Sequence, residues 1–318
     1  MTTFYCEQMS QDEVAWHGTC ELRLIKRPVA GRGLSSLTSH QVSCCAPYKL
    51  LRGSNDVDGR FEVPLLHTSG GLVGGDQLTL KVTAEEGTRS LITTGAAQKV
   101  YGSVGRSTLH PEGKWAKQSC HFDIHKNADL EWLPQELVLF GEGLYEQNMH
   151  VDILPDSSFI SAEVVRLGRT ASGENLGNGC WRSHLEICRH LPEKKHWEFV
   201  DRLELGGNAL ISEHGMGKQP VFGSMVWLAP TFLSKDILNE LVQSSLAERI
   251  GLDGQMSCTA LDHGLSARYL GASSQAARFW FFRIWSHTRK LRQLSSPKPL
   301  RIWPMQENPF AETMCNMN

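Results

Sequence analysis

The chain lacks the spacings from which tight metal sites and disulfide frameworks are built. Its nine cysteines, at positions 6, 20, 44, 45, 120, 180, 188, 258 and 315, form no C-x-x-C pair, and their number is odd. Met1 to Cys20 has no basic start followed by an apolar core, so no secretory signal argues for oxidation. Reduced, structural thiols are predicted. If Cys44-Cys45 lie on a strand they point to opposite faces, one exposed and one packed as a small hydrophobe. No run reaches the roughly 18 apolar residues needed to cross a bilayer. Charge of one sign is missing too: 32 basic and 34 acidic residues leave a net −2, without the field of a general nucleic-acid binder. These absences predict a soluble, cytoplasmic protein with neither membrane nor nucleic acid as partner. There is no low-complexity tract, no exact internal repeat and no G-x-S-x-G nucleophile elbow.

What the chain does have is a glycine run, Gly70-Gly71-Leu72-Val73-Gly74-Gly75-Asp76. A phosphate loop must leave a strand and open a helix, with a lysine to reach the phosphates. Here Gln77 to Val82 follows, with Leu78, Leu80 and Val82 alternating as in a half-buried strand, and no Lys-Ser or Lys-Thr comes after the glycines. The glycines are therefore predicted to serve tight turns between strands, where positive φ or close chain approach is needed.

With 318 residues, one or two domains both fit. From Trp16 to about Leu228 the pattern is mainly β: short alternating or β-branched runs such as Glu21–Ile25, Ser90–Thr94 and Phe159–Val165, separated by Gly, Asn, Asp and Pro. A sandwich, a barrel and a stacked solenoid share this periodicity. Helical spacing appears twice. From Ser234 to Ile250, residues Ile237, Leu238, Leu241, Val242, Leu246 and Ile250 share a face, with Ser234 as cap and Gly251 as stop. From Ser273 to Leu294, residues Ala276, Ala277, Trp280, Phe281, Ile284 and Leu291 form the stripe, and Arg289, Lys290 and Arg292 are expected as a solvated, cationic helix end.

Several constellations could carry chemistry. His121, Asp123 and His125 would share one strand face, a spacing that could begin a metal site but also describes an ordinary polar outer face. Asp262-His263 near Arg268 has no accompanying nucleophile and is expected to be structural. Carboxylates within apolar strands have the stronger claim, because burying them is costly unless they are paired or metal-bound. Asp76, Glu163, Glu174 and Asp201 are the candidates, with Asp201-Arg202 also readable as an ion pair. His67 beside the glycine turn is the best histidine candidate, though capping or turn hydrogen bonding is the more usual role for such a residue.

His67 with Gly70, Gly71, Gly74, Gly75 and Asp76, then Thr93–Tyr101 with Lys99 and Tyr101, then Leu130–Glu136 with Pro134, Gln135 and Glu136, resemble in that order the UreD (UreH) family of urease accessory proteins. Leu167-Gly168-Arg169 before Gly173-Glu174, Arg268-Tyr269-Leu270 and Arg301-Ile302-Trp303 extend the resemblance from about Trp16 to Trp303. Thr68-Ser69 stand where members commonly have two prolines, and Gly102 where many have arginine. The resemblance implies a layered, β-helix-like body with two α-helices near the C-terminus: one UreD-like domain with a β body (16–228), a helix-containing part (229–303) and a flexible tail (304–318). It further implies a non-enzymatic metallochaperone scaffold, with transient nickel(II) and no tightly bound cofactor. Such a scaffold joins UreF and the GTPase UreG and delivers nickel to apo-urease. Acidic residues matching Glu163 and Asp201 are thought to line a nickel passage in the family, Glu and Asp here standing where many members carry Asp and Glu. A metal-dependent hydrolase, needing three or four converging ligands, and an interaction module without a metal path remain the alternatives. Since the glycine run opens a strand, the isolated chain is expected neither to bind nor to hydrolyse GTP. Saturable GTP binding by calorimetry in the absence of UreG would contradict this.

Overall fold

The structure, a computed structural model, describes residues 15–28, 36–300, 302–303 and 307–310. In chain order the strands are β1 (His17–Pro28), β2 (Ser36–Cys44), β3 (Tyr48–Leu50), β4 (Ser54–Asn55), β5 (Phe61–His67), β6 (Gln77–Ala84), β7 (Arg89–Thr94), β8 (Gln98–Val100) and β9 (Ala116–Ile124). They continue with β10 (Asp129–Leu133), β11 (Leu137–Leu139), β12 (Leu144–Ile153), β13 (Ser158–Leu167), β14 (Cys180–His190), β15 (Lys195–Gly206), β16 (Val221–Leu228), β17 (Gln255–Leu261) and β18 (Gly264–Gly271). The helices are α1 (Asn208–Ile211), α2 (Lys235–Ala247) and α3 (Ser274–Leu291).

The mainly β, β-helix-like expectation holds, and the pairing shows why. From β5 to β14 the chain winds between two sheets, with β6, β9, β12 and β14 stacked in parallel on one side and β5, β7, β10 and β13 in parallel on the other. The short strands β8 and β11 pair in parallel along a third face. Antiparallel strands finish the sheets: β2 and β15 flank the first, and β16, β18 and β17 extend the second. Part 229–303 is thus joined to the β body through β17 and β18. The tail expected at 304–318 lies outside the described residues except for 307–310, as does Arg301.

Stacked coils bring inward residues into columns, since every second side chain faces the core. Leu22, Val82, Phe122, Val151 and Ile187 form one such column. Phe122 bridges the sheets, its ring centroid 5.5 Å from Trp132 and 5.7 Å from Phe159. The parallel column is polar: Leu78 leads to Gln118, Gln147 and Ser183.

Both C-terminal helices start where the sequence places them. Ser234 Oγ accepts from the Ile237 amide at 3.4 Å, and Ser273 Oγ from the Ala276 amide at 3.1 Å. Gly251, at φ 74°, follows the first helix end. The apolar stripe of α2 is narrower than expected. Leu238 and Leu241 are buried against β17 and α3, whereas Ile237 and Ile250, at the two ends, stay exposed. On α3, Ala276, Ala277, Trp280, Phe281 and Ile284 are buried and Leu291 is exposed.

The basic end of α3 departs from expectation. Lys290 is exposed, but Arg289 is buried and Arg292 nearly so, because both reach a carboxylate cluster more than 150 residues earlier in the chain. Glu131 is fully buried on β10 and is contacted by Arg60, by Arg292 Nη2 at 2.9 Å, by Arg289 Nη1 at 3.6 Å and by the Trp285 indole N–H at 2.9 Å. Asp129 binds Arg60 (3.1 Å) and Arg292 (2.6 Å), while Asp58 holds Arg289 (3.1 Å). Burial alone would raise the Glu131 carboxyl, but Arg60, Arg292 and Arg289 overcome it and hold the group down at about 2. Glu131→Ala should therefore cost about 3–5 kcal/mol in urea unfolding, because buried cations lose their counter-charge. A loss below ~1 kcal/mol would contradict this. Since the carboxyl titrates near 2 when folded and near 4.5 otherwise, its stabilisation is present above pH 4.5 and fades as pH falls to 2.

Candidate functional site

The polar column opens into a cavity of about 420 Å³. Its exposed rim includes Gly70, Ala96 and Lys99, with half-buried His67 and Gln98 beside them, and its depth is lined by Tyr48, Gln118, Cys120, Tyr145, Gln147 and Glu163. The glycine run builds the rim by close approach. Leu72 bonds to the β8 strand through Lys99 O and the Tyr101 amide, both at 2.8 Å. A Cβ on Gly71 (φ 151°) would meet the Tyr101 ring at 2.6 Å and Lys99 O at 2.9 Å, so only glycine fits. Tyr101 Oη closes the turn by donating to Gly70 O at 3.3 Å. Pro134 and Gln135 line the opposite wall, and Glu136 anchors it to α3 through Arg278 at 2.9 Å.

Within the cavity the polar groups form short chains. Tyr145 Oη donates to Gln118 Oε1 at 2.5 Å, and Gln118 Nε2 donates to Tyr48 Oη at 3.1 Å. Gln147 Nε2 donates to Glu163 Oε1 at 2.7 Å. Enclosure in protein pushes the Glu163 carboxyl up to about 7; nearby Asp201 acts in the same sense, against Gln147 and Arg268. Burial likewise pushes the Cys120 thiol up to about 12 and pulls the His67 imidazole below its usual value. The cavity therefore offers a neutral imidazole at its rim, a protonated thiol in its wall and a carboxylate that titrates near neutrality.

Glu163 marks a junction. Together with Trp132, Pro134, Gln147 and Met149 it also lines a second, narrow cavity of about 30 Å³, whose other walls include Ser161, Ser183, Asp201 and Ser224. Asp201 lies on β15 with its Oδ2 2.6 Å from Arg268 Nη2. Arg202 points the other way and pairs with Glu186 at 2.6 Å, so the sequence-adjacent Asp201-Arg202 pair does not form. Two acidic residues from different sheets, Glu163 and Asp201, thus border one narrow polar space.

Other singled-out residues hold the scaffold. Asp76 is buried with its oxygens accepting from the Trp16 amide (2.8 Å) and the Val73 amide (2.9 Å); it supports the glycine turn and lines neither cavity. Glu174 accepts from the Gly141 amide at 2.6 Å and from Arg169 Nε at 3.0 Å, and these contacts, Arg169 first, hold its carboxyl at about 2. Gly173, at φ 72°, completes the turn before it. Both stabilise a loop outside the cavities. His121, Asp123 and His125 are exposed and belong to no converging ligand group among the described residues. Cys44, the last residue of β2, packs against the core, while Cys45 lies just past the strand and is exposed.

Cavity residues not singled out from sequence include Gln118, Tyr145, Gln147, Ser183 and Ser224, and the pairing of Arg268 with Asp201 was not foreseen either. A signal for the first and third existed: in Ala116-Gln118-Cys120-Phe122 and Tyr145-Gln147-Met149-Val151, one glutamine interrupts the inward apolar phase. Burial makes Glu163 a weaker acid, so Glu163→Gln should raise the denaturant midpoint at pH 8 and leave it little changed at pH 4, where the carboxyl is largely protonated in both the folded and the unfolded chain. Equal effects at both pH values would contradict the assignment.

The sequence profile of the family described as "UreD urease accessory protein" matches residues 17–304. Similar proteins carry the same description. One from Prochlorococcus marinus strain MIT 9303, named urease accessory protein UreD, is 58% identical over 92% of this chain and 98% of its own length. Another, from strain NATL1A, is 54% identical over 94% and 98%. A third, from Synechococcus sp. strain WH7805, is 53% identical over 95% of both chains. With a family profile and relatives that cover nearly its whole length, the chain belongs to the UreD family of urease accessory proteins.

Proposed function

We propose that this protein serves urease maturation as a non-enzymatic scaffold, acting in the cytoplasm with UreF and the GTPase UreG, and that its cavities conduct nickel(II) toward apo-urease. The observation that carries this reading is the placement of Glu163 at the junction of two polar cavities, with Asp201 on the far side. The family name supports the urease setting; the chemistry of the lining supports the cargo. Nickel(II) binds thiolate and imidazole tightly, so a conducting path is better built from oxygen donors, amides and water. Gln118, Gln147, Tyr145 and the serines are such donors. Cys120 stays protonated and is a poor trap. His67 at the rim is suited to capture, and Lys99 beside it would limit how long a cation stays there.

Glu163 sets the direction of a pH effect. Below about 7 the carboxyl is neutral and attracts a divalent cation weakly; above it the charge is present in a confined, low-dielectric space where attraction is strong. Nickel transfer should therefore rise as pH rises through 7. A hydrolase on this scaffold is the weaker reading, since no three ligands converge on the cavity among the described residues.

The test is reconstituted urease activation with wild-type protein and with Glu163→Ala/Asp201→Ala. The double variant should assemble with UreF, UreG and urease in a pull-down, yet leave urease with at least about tenfold less nickel, since two charges in a low-dielectric path are removed. Glu163→Gln should flatten the rise near pH 7. Full activation by the double variant would refute the passage, and loss of the pull-down would assign the carboxylates a structural role instead.

A further inference from the structure

The outer face of the first sheet carries a donor cluster that neither cavity uses. At the ends of β12 and β14, the Asp152 carboxylate faces two imidazoles: His190 Nε2 contacts Oδ1, and His150 Nε2 lies 3.2 Å from Oδ2. One ligand atom each from Asp152, Cys188 and His190 lies within 4.8 Å of the others. Cys188 is buried, Asp152 and His190 are half-buried, and the whole group sits on paired backbone: Asp152 is opposite Cys188 in the parallel β12–β14 register.

The donors converge on one carboxylate, Asp152, from two neighbouring strands whose parallel register is unbroken; the ladder slip beside them skips Glu198 on β15 and leaves the donor strands in phase. His150 is shared, its Nδ1 lying 3.8 Å from Glu186 Oε2. A tetrahedral ion with ligands at 2.0–2.3 Å sets its donors about 3.3–3.8 Å apart, a spacing that Asp152, Cys188 and His190, all within 4.8 Å of one another, reach by small side-chain movements.

We propose that Asp152, Cys188 and His190, with His150 as the fourth donor, form a site for a divalent transition-metal ion of the nickel and zinc class. The donor set decides the class: thiolate and imidazole favour borderline ions, whereas calcium and magnesium require oxygen ligands throughout. On binding, the thiol proton passes to solvent and Cys188 enters as thiolate. Its charge and that of Asp152 together neutralise the dication. The imidazoles exchange their contacts with the carboxylate for contacts with the metal. The neighbouring group of His196, Glu198 and His263 is a poorer candidate. There Glu198 is already committed to the buried Arg189 at 2.5 Å, and drawing it onto a metal would strand that guanidinium. The outer-face site is independent of the passage proposed for the cavities.

The experiment is titration of the full-length protein with nickel chloride and with zinc chloride by calorimetry, with near-ultraviolet absorption recorded for nickel. We expect one equivalent bound with a sulfur-to-nickel charge-transfer band. Removing an outer-shell partner of a metal site typically weakens it by about 10–100-fold, so Asp152→Asn and His190→Ala, which remove ligands, should each weaken binding at least tenfold. Cys188→Ser should abolish the band. His263→Ala should leave that equivalent and its band unchanged. Absence of the band in the wild-type protein, or an affinity unaltered in His190→Ala, would overturn the proposal. Because His190 is half-buried and its loss leaves the core intact, that variant decides the matter even if Cys188→Ser fails to fold.

Discussion

A single buried carboxylate ties the parts of this molecule together. Glu131 receives Arg60 from the turn before β5, Arg289 and Arg292 from the end of α3 and the Trp285 indole from its middle. Leaving such charges unpaired in the interior costs about 3–5 kcal/mol, a large share of the roughly 5–15 kcal/mol by which a domain is stable, so these segments arrive together. The next residue on the same strand, Trp132, faces the opposite way and walls both cavities. One alternation of β10 therefore sets α3 on the outside of the second sheet and shapes the cavity within. Arg278 with Glu136 repeats the tie one turn of chain later.

The interior gives up stability for polarity along one column. In a stacked β architecture the inward columns are expected to be apolar, as Leu22, Val82, Phe122, Val151 and Ile187 are. Gln118, Gln147 and Ser183 break that rule beside Glu163, whose carboxyl is raised by its surroundings because the fold does not supply a full counter-charge. Arg268 is near but is engaged with Asp201. Local violations of packing logic mark functional ground, and this one runs through contiguous coils. The column is polar without being sticky: amides and hydroxyls satisfy one another, and the soft donors are neutral.

Much of this was legible from residue order. Leu78, Leu80 and Val82 alternate in the sequence and are buried on β6; Ser234 and Ser273 cap the helices they precede; Gly71 closely approaches Lys99 and Tyr101, and Gly74 approaches Ser103 and Lys114. Periodicity could not choose among sandwich, barrel and solenoid, because the period-two signal is identical in all three, and the resemblance to the UreD family made that choice. Glu163 and Asp201 stood among four carboxylate candidates by position, and the resemblance singled those two out. What stayed hidden depends on contacts remote in sequence. Arg289 looks like a solvated helix end until Glu131 and Asp58 are brought to it, and Asp201 looks paired with Arg202 until β18 delivers Arg268. Asp76 looked like a ligand because nothing in the sequence shows that two backbone amides would occupy it.

The central claim, that nickel traverses the interior between Glu163 and Asp201, is tested most directly by diffraction at the nickel absorption edge from crystals soaked at a series of nickel concentrations and collected at pH 8. The account predicts anomalous peaks within the two cavities, with Glu163 oxygen among the nearest donors, that are lost in Glu163→Ala/Asp201→Ala. Peaks confined to the outer surface at every concentration, with the cavities free of metal in the wild-type protein, would contradict it.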